Sequence, residues 1–136
     1  MLFRSEAYFF QHHAKNLAAV VVLKGDEPDG FVVKMQPAAT LTGRLVTADG
    51  APLRQAQIGG YLEAGQLNMT HDWNVFFWGA TDADGRFTID CLLPGMSLGA
   101  TVAQAEAGRA ELFRKITLKP GETRDLGDVT VLFGRE

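Results

Sequence analysis

Residues 81–95 read Thr81-Asp82-Ala83-Asp84-Gly85-Arg86-Phe87-Thr88-Ile89-Asp90-Cys91-Leu92-Leu93-Pro94-Gly95, a turn, a strand and a stop in immediate succession. Asp-Ala-Asp-Gly supplies a residue that takes a positive φ without steric cost, which a tight reversal needs. Phe87, Ile89 and Cys91 then alternate with Thr88 and Asp90, the period of a strand with one buried and one wet face. Pro94-Gly95 ends the run. A chain built around such a unit is expected to be a β protein.

The rest of the sequence repeats this grammar. Residues 7–12 and 17–23 predict two strands around a turn at 13–16, and residues 31–36 predict a third that Pro37 ends. Residues 40–47 alternate Leu41, Gly43 and Leu45 with Thr42, Arg44 and Val46, then reverse at Asp49-Gly50-Ala51-Pro52. Further strands are expected at 56–63, 73–79, 97–104, 109–118 and 126–133, with a polar connection over 64–74. In residues 73–79, Trp73, Val75 and Phe77 are expected on one face and Asn74, Phe76 and Trp78 on the other. No amphipathic helical period appears, and the 15 glycines fall mainly at reversals. Short strands at regular spacing indicate an all-β antiparallel sandwich.

At 136 residues, 46% hydrophobic and 21% charged, the chain can bury a core of its own. The expectation is one domain over 38–136, preceded by N-terminal strands in 1–37. An echo between residues 23–33 and 118–131, each a strand, an acidic turn and a strand, suggests that 1–37 is the tail of a preceding unit of the same kind. A net charge of −3 and no basic cluster argue against a nucleic-acid partner. The longest apolar run, residues 17–23, is far short of the roughly 20 residues that cross a bilayer, so no membrane insertion is expected. The first residues lack the basic and apolar regions of a signal peptide. The chain is therefore expected to be cytoplasmic, or a segment of an exported protein whose signal lies upstream.

Thr40-Leu41-Thr42-Gly43-Arg44-Leu45-Val46-Thr47-Ala48-Asp49-Gly50-Ala51-Pro52-Leu53, followed in register by residues 81–95 and by Lys119-Pro120-Gly121-Glu122 before a last strand, resembles a carboxypeptidase regulatory-like domain. The resemblance covers residues 38–133. It implies a seven-stranded Greek-key β-sandwich similar to transthyretin and to the B-type repeats of bacterial adhesins. It also implies an accessory module of an exported or envelope-associated multidomain protein, whose partners are neighbouring domains of the same chain. The N-terminal strands and the aromatic segment at 73–78 depart from the pattern.

Candidate chemistry is sparse. Transthyretin-like hydrolases of 5-hydroxyisourate carry a C-terminal Tyr-Arg-Gly-Ser, whereas this chain ends Leu132-Phe133-Gly134-Arg135-Glu136. Intradiol dioxygenases resemble residues 77–82 and 94–95 but hold iron with two tyrosines and a His-x-His, and no histidine follows His71 here. Without those groups neither site forms, and the expectation is no enzymatic activity, no cofactor and no metal. Asp82-x-Asp84-Gly85 has Leu93 where a calcium loop needs a bidentate Glu, so it reads as a hairpin turn. His12 and His13 are neighbours on a predicted strand and point apart. Cys91, the one cysteine, reads as a buried apolar residue. Gly43 is expected to make room for an aromatic ring from the facing sheet.

A strand with aromatics on both faces must present some of them elsewhere than the core. The ligand-binding expectation is a carbohydrate face, the alternative to the accessory role, with Tyr61, Trp73 and Trp78 as stacking platforms and Asn68, Asp72 and Asn74 for hydroxyls.

Overall fold

The computed structural model describes residues 6–23, 25–27, 29–66 and 73–133. It is all-β, and the described strands form three sheets. An antiparallel sheet takes β1 (Glu6–His12), β2 (Leu17–Leu23) and β3 (Gln36–Pro37) in that order. A mixed sheet orders β10 (Thr123–Thr130), β4 (Ala39–Val46) and β7 (Arg86–Leu92). A four-stranded antiparallel sheet orders β6 (Trp73–Ala80), β5 (Gln57–Leu62), β8 (Ser97–Gln104) and β9 (Gly108–Thr117).

The last two sheets share one core. Leu41 and Leu45 of β4 and Phe87, Ile89 and Leu92 of β7 meet Ile58, Leu62, Phe77, Leu98, Ala100 and Val102 from the four-stranded sheet. Period two creates this arrangement. In β7 the burial alternates from Arg86 to Cys91 as expected, with Phe87, Ile89 and Cys91 buried and Thr88 and Asp90 exposed, and the alternation ends there because Leu92 is buried as well. The Asp-Gly turn before it forms too, because the Asp82 side chain accepts from the amides of Asp84 (2.9 Å) and Arg86 (3.0 Å). Gly85 has a φ of +78°, and a side chain there would press on the Leu45 carbonyl.

One pairing differs from the expected antiparallel arrangement, since β10 runs parallel to β4. The chain reaches β10 from β9 in the other sheet, through a turn in which the Glu122 carbonyl accepts from the Thr40 amide at 2.8 Å. That bond sets the start of β10 beside the start of β4, so both strands leave in the same direction. β10 is also placed earlier than the expected 126–133.

The strand expected at 31–36 does not form. Only Gln36 and Pro37 pair, with Ala18 and Leu17, while Phe31 and Val32 are 43% and 78% exposed. A β-branched run becomes a strand where it fits a pleated, half-buried surface, and among the described residues no strand pairs with 31–35. The echo between 23–33 and 118–131 therefore has no structural counterpart at its second strand. The ring against Gly43 also has a different source. It belongs to Phe87, directly opposite on β7 of the same sheet, not to the facing sheet.

The hairpin β1–β2 is bonded to the body. Asn16, in the left-handed region at φ 51° after the 3-10 turn His13–Lys15, accepts from the Cys91 amide at 2.8 Å. Its backbone carbonyl accepts from the Ala38 amide at 2.8 Å, and Gln11 Nε2 donates to the Cys91 carbonyl at 3.0 Å. Below these bonds Ala18, Ala38 and Leu93 form a second small core with Phe9, Val20 and Met96 against it.

Candidate functional site

The outer face of the four-stranded sheet carries two of the three aromatic candidates, Tyr61 and Trp78. Gly59 of β5 stands opposite Trp78 on β6 and Thr101 on β8, and Thr101 stands opposite Glu111 on β9. Directly opposed residues share a face, so these four make one row across the sheet. Trp78 is 65% exposed. Beside it Gly59 leaves a floor with no side chain, its nearest potential contact being the indole Cζ3, 3.9 Å from where a Cβ would stand. Phe77 has its ring over Gly60 on the inner face and is buried.

Two residues along from Gly59, Tyr61 lies on the same outer face, but its ring is spread over Gly99, its partner on β8. Only 7% of it is exposed, which leaves no open ring surface for stacking. Tyr61 is also the main influence on Arg114, raising the guanidinium pKa, with Glu111 and Glu63 adding to the effect. The carboxylate of Glu63, buried on this face, accepts from the Ser97 hydroxyl at 2.7 Å and the Lys115 amide at 2.6 Å, with Arg114 at 3.4 Å. Lys115 has a φ of 58° at an irregularity in β9, and Glu63 satisfies the amide that this irregularity turns away from the ladder.

Of the six sequence candidates, Trp78 is the exposed aromatic and Tyr61 the covered one. Trp73 and Asn74 are placed by register, opposite Leu62 and Tyr61; their side chains lie outside the described residues. Asn68 and Asp72 lie outside the described residues, as does His71. The expected alternation along residues 73–79 is broken, because Gly60 pairs with Phe77 while Tyr61 pairs with Asn74. A shift of that kind is invisible to a period count, since it depends on the partner strand.

A second cluster lies at the hairpin junction. His13 Nδ1 is 3.5 Å from Asp90 Oδ1, and one donor atom each from His13, Asp90 and Cys91 lie within 4.8 Å of one another. Burial raises the Cys91 thiol pKa, with the Asp90 charge adding to it, while the backbone amides of Leu17 and His12 act the other way. His12 takes a different role and accepts from the Lys15 amide at 3.3 Å. A period-two reading puts Asp90 and Cys91 on opposite faces and cannot find this cluster. At the far end of the sheets, Arg54, Thr81, Asp82 and Glu106 line an open hollow.

No family model matches the chain, and no curated protein matches it. Solved structures do. One is a 9R-lipoxygenase from Cyanothece PCC8801, with 18% identity over 89% of this chain and 19% of that one, at a TM-score of 0.47. Another is an (S)-allantoin synthase, with 14% identity over 74% of this chain and 45% of that one, at 0.49. A third is the dioxygenase domain of a dioxygenase carbohydrate-binding protein fusion from Streptomyces sp. SirexAA-E, with 18% identity over 76% of this chain and 97% of that domain, at 0.43. The chain thus spans less than half the length of the first two.

These names correct the expectation that the chain is not an enzyme. All three are enzymes or an enzyme domain, so lacking the ligand sets of two enzyme families is no ground for excluding catalysis. At these identities and TM-scores the likeness carries no residue role, cofactor or substrate across to this chain.

Proposed function

We propose that this chain is an accessory β-sandwich module of the carboxypeptidase regulatory-like kind, seven-stranded and Greek-key over 38–133, which spaces and orients neighbouring domains of a larger protein. One observation carries the reading. The hairpin β1–β2 is bonded through Asn16 and Gln11 to the end of β7, which fixes the hairpin to the sandwich. A spacer needs such a junction, because orientation passes between units only when the joint is fixed by specific bonds rather than by a free linker. The in-register signatures at 40–53 and 81–95 support the family reading, and the Asp82 turn and the shared two-sheet core agree with it.

The test is cooperativity. Unfolding in urea, followed at once by tryptophan fluorescence and by hydrogen exchange of the β2 amides, is expected to give one coincident transition. Loss of protection in β2 well before the fluorescence change would show a loosely attached hairpin and remove the basis for the proposal.

Trp78 favours a second reading, a weak carbohydrate face. An exposed indole beside a glycine floor, flanked by Thr101 and Glu111, offers a flat apolar platform edged by hydroxyl and carboxylate groups, the combination on which a sugar ring stacks and bonds. Fluorescence titration with a panel of soluble glycans distinguishes the two. Saturable change with one glycan class, abolished in Trp78→Ala, establishes the sugar face, and a flat response across the panel removes it.

A further inference from the structure

We infer that His13, Asp90 and Cys91 form a binding site for a divalent transition metal of the zinc type, with one imidazole nitrogen, one carboxylate oxygen and one thiolate as ligands. The inference is independent of the spacer and sugar readings.

The backbone makes the site possible. Adjacent residues of a regular strand point to opposite faces, so Asp90 and Cys91 should not meet. Cys91, however, has a φ of +56°, at the irregularity where β4 and β7 change register between Ala39 and Leu41. A bulge of this kind re-aims a side chain, and here it brings thiol and carboxylate to one point. The 3-10 turn delivers His13 to the same point, and its backbone is fixed there by Asn16 and Gln11, which bond the amide and the carbonyl of Cys91. Three donors from two chain segments therefore converge on a junction held by four polar groups that are not themselves ligands.

The geometry needs little change to close. Donors around a tetrahedral zinc with bonds of about 2.0–2.3 Å stand about 3.3–3.7 Å apart. The present donors lie within 4.8 Å of each other, with His13 and Asp90 already at 3.5 Å. His13 and Asp90 side chains are 67% and 53% exposed and free to turn, whereas Cys91 is buried beneath them. Solvent has access to the open side, where water completes the coordination. A mixed nitrogen, oxygen and sulfur set suits zinc or cobalt and not magnesium or calcium, which take oxygen ligands.

Binding forms a metal–sulfur bond, breaks the S–H bond and releases one proton to solvent for each metal, so affinity rises with pH.

Cobalt(II) titration of the intact chain tests this directly. A saturable thiolate-to-cobalt charge-transfer band in the near ultraviolet is expected, with intense visible bands of four-coordinate cobalt and displacement by zinc. His13→Ala and Cys91→Ser are each expected to lose the band, and zinc is expected to raise the melting temperature of the wild type but not of His13→Ala. Because Cys91 is buried, Cys91→Ser can fail to fold; His13→Ala, at an exposed turn, then decides alone. No charge-transfer band at millimolar cobalt overturns the inference. So does a band, or zinc stabilisation, that persists undiminished in His13→Ala.

Discussion

Trp78 and Phe77 are neighbours with opposite fates, and the difference lies in which face of β6 each occupies. Phe77 fills the core over Gly60, and Trp78 stands in solvent over the outer face. Phe77→Ala is expected to cost about 3–5 kcal/mol in urea denaturation, the usual figure for a core aromatic. Trp78→Ala is expected to change stability by no more than about 0.5 kcal/mol. Near-equal losses would show that the indole is packed. Glycines on this sheet divide in the same way. A methyl group at Gly99 would overlap the Tyr61 ring, whereas one at Gly59 clears the Trp78 indole. Gly99→Ala should therefore destabilise the chain by about 1–3 kcal/mol, the range for overpacking, and Gly59→Ala should leave the urea midpoint nearly unchanged.

Among the elements, the hairpin β1–β2 is joined to the body largely through Asn16. Asn16 combines a left-handed backbone with a side chain that accepts from the Cys91 amide and donates to the Ala38 carbonyl at 3.3 Å. Asn16→Ala removes both bonds and places a methyl-bearing residue at positive φ, a loss of about 2–4 kcal/mol when the two hydrogen bonds and the backbone cost are added. Asn16→Gly keeps the backbone geometry and should recover about 1 kcal/mol of it. Identical stability for the two variants, measured by denaturant unfolding, would show that the left-handed conformation carries none of the cost. Glu63 does comparable work for β9, since its carboxylate is the acceptor for the Lys115 amide at the strand's irregularity. Leaving that amide without its acceptor in Glu63→Ala should cost about 1–3 kcal/mol, read as a fall in the urea midpoint.

For the whole molecule, the parallel pair β10–β4 closes the sheet over the longest sequence separation, and it starts at Glu122. The Glu122 carboxylate accepts from the Lys119 amide and from Arg124, both at 2.8 Å. Those bonds hold its pKa below the ordinary value, the Lys119 amide most strongly. A carboxyl group lowered on folding stabilises fully above its unfolded pKa and loses that contribution as pH falls through the folded value. Asp49, lowered chiefly by the Thr47 hydroxyl, acts in the same direction. The melting temperature should therefore drop in the acid range, and Glu122→Gln should flatten that drop while lowering stability at neutral pH. An unchanged acid limb in Glu122→Gln would show that other carboxylates govern it.

Local chemistry alone determined the all-β class, the hairpin at Asn16, the reversal at Asp84-Gly85 and the burial of Leu41, Leu45, Phe87 and Ile89, although that reversal joins β6 and β7 of different sheets and is not the hairpin turn expected. Turn residues and a two-residue period act over a few positions and need no partner to be read. Tertiary structure decided everything that depends on which strand lies alongside. It made β10 parallel to β4, left residues 31–35 without a sheet, buried Tyr61 against Gly99 and exposed Trp78. It also brought His13 to Asp90 and Cys91, because a left-handed residue inside a strand breaks the alternation from which the sequence is read. Side-chain period is a property of one strand, whereas register, bulges and sheet direction belong to pairs, and pairs form only when the chain has folded.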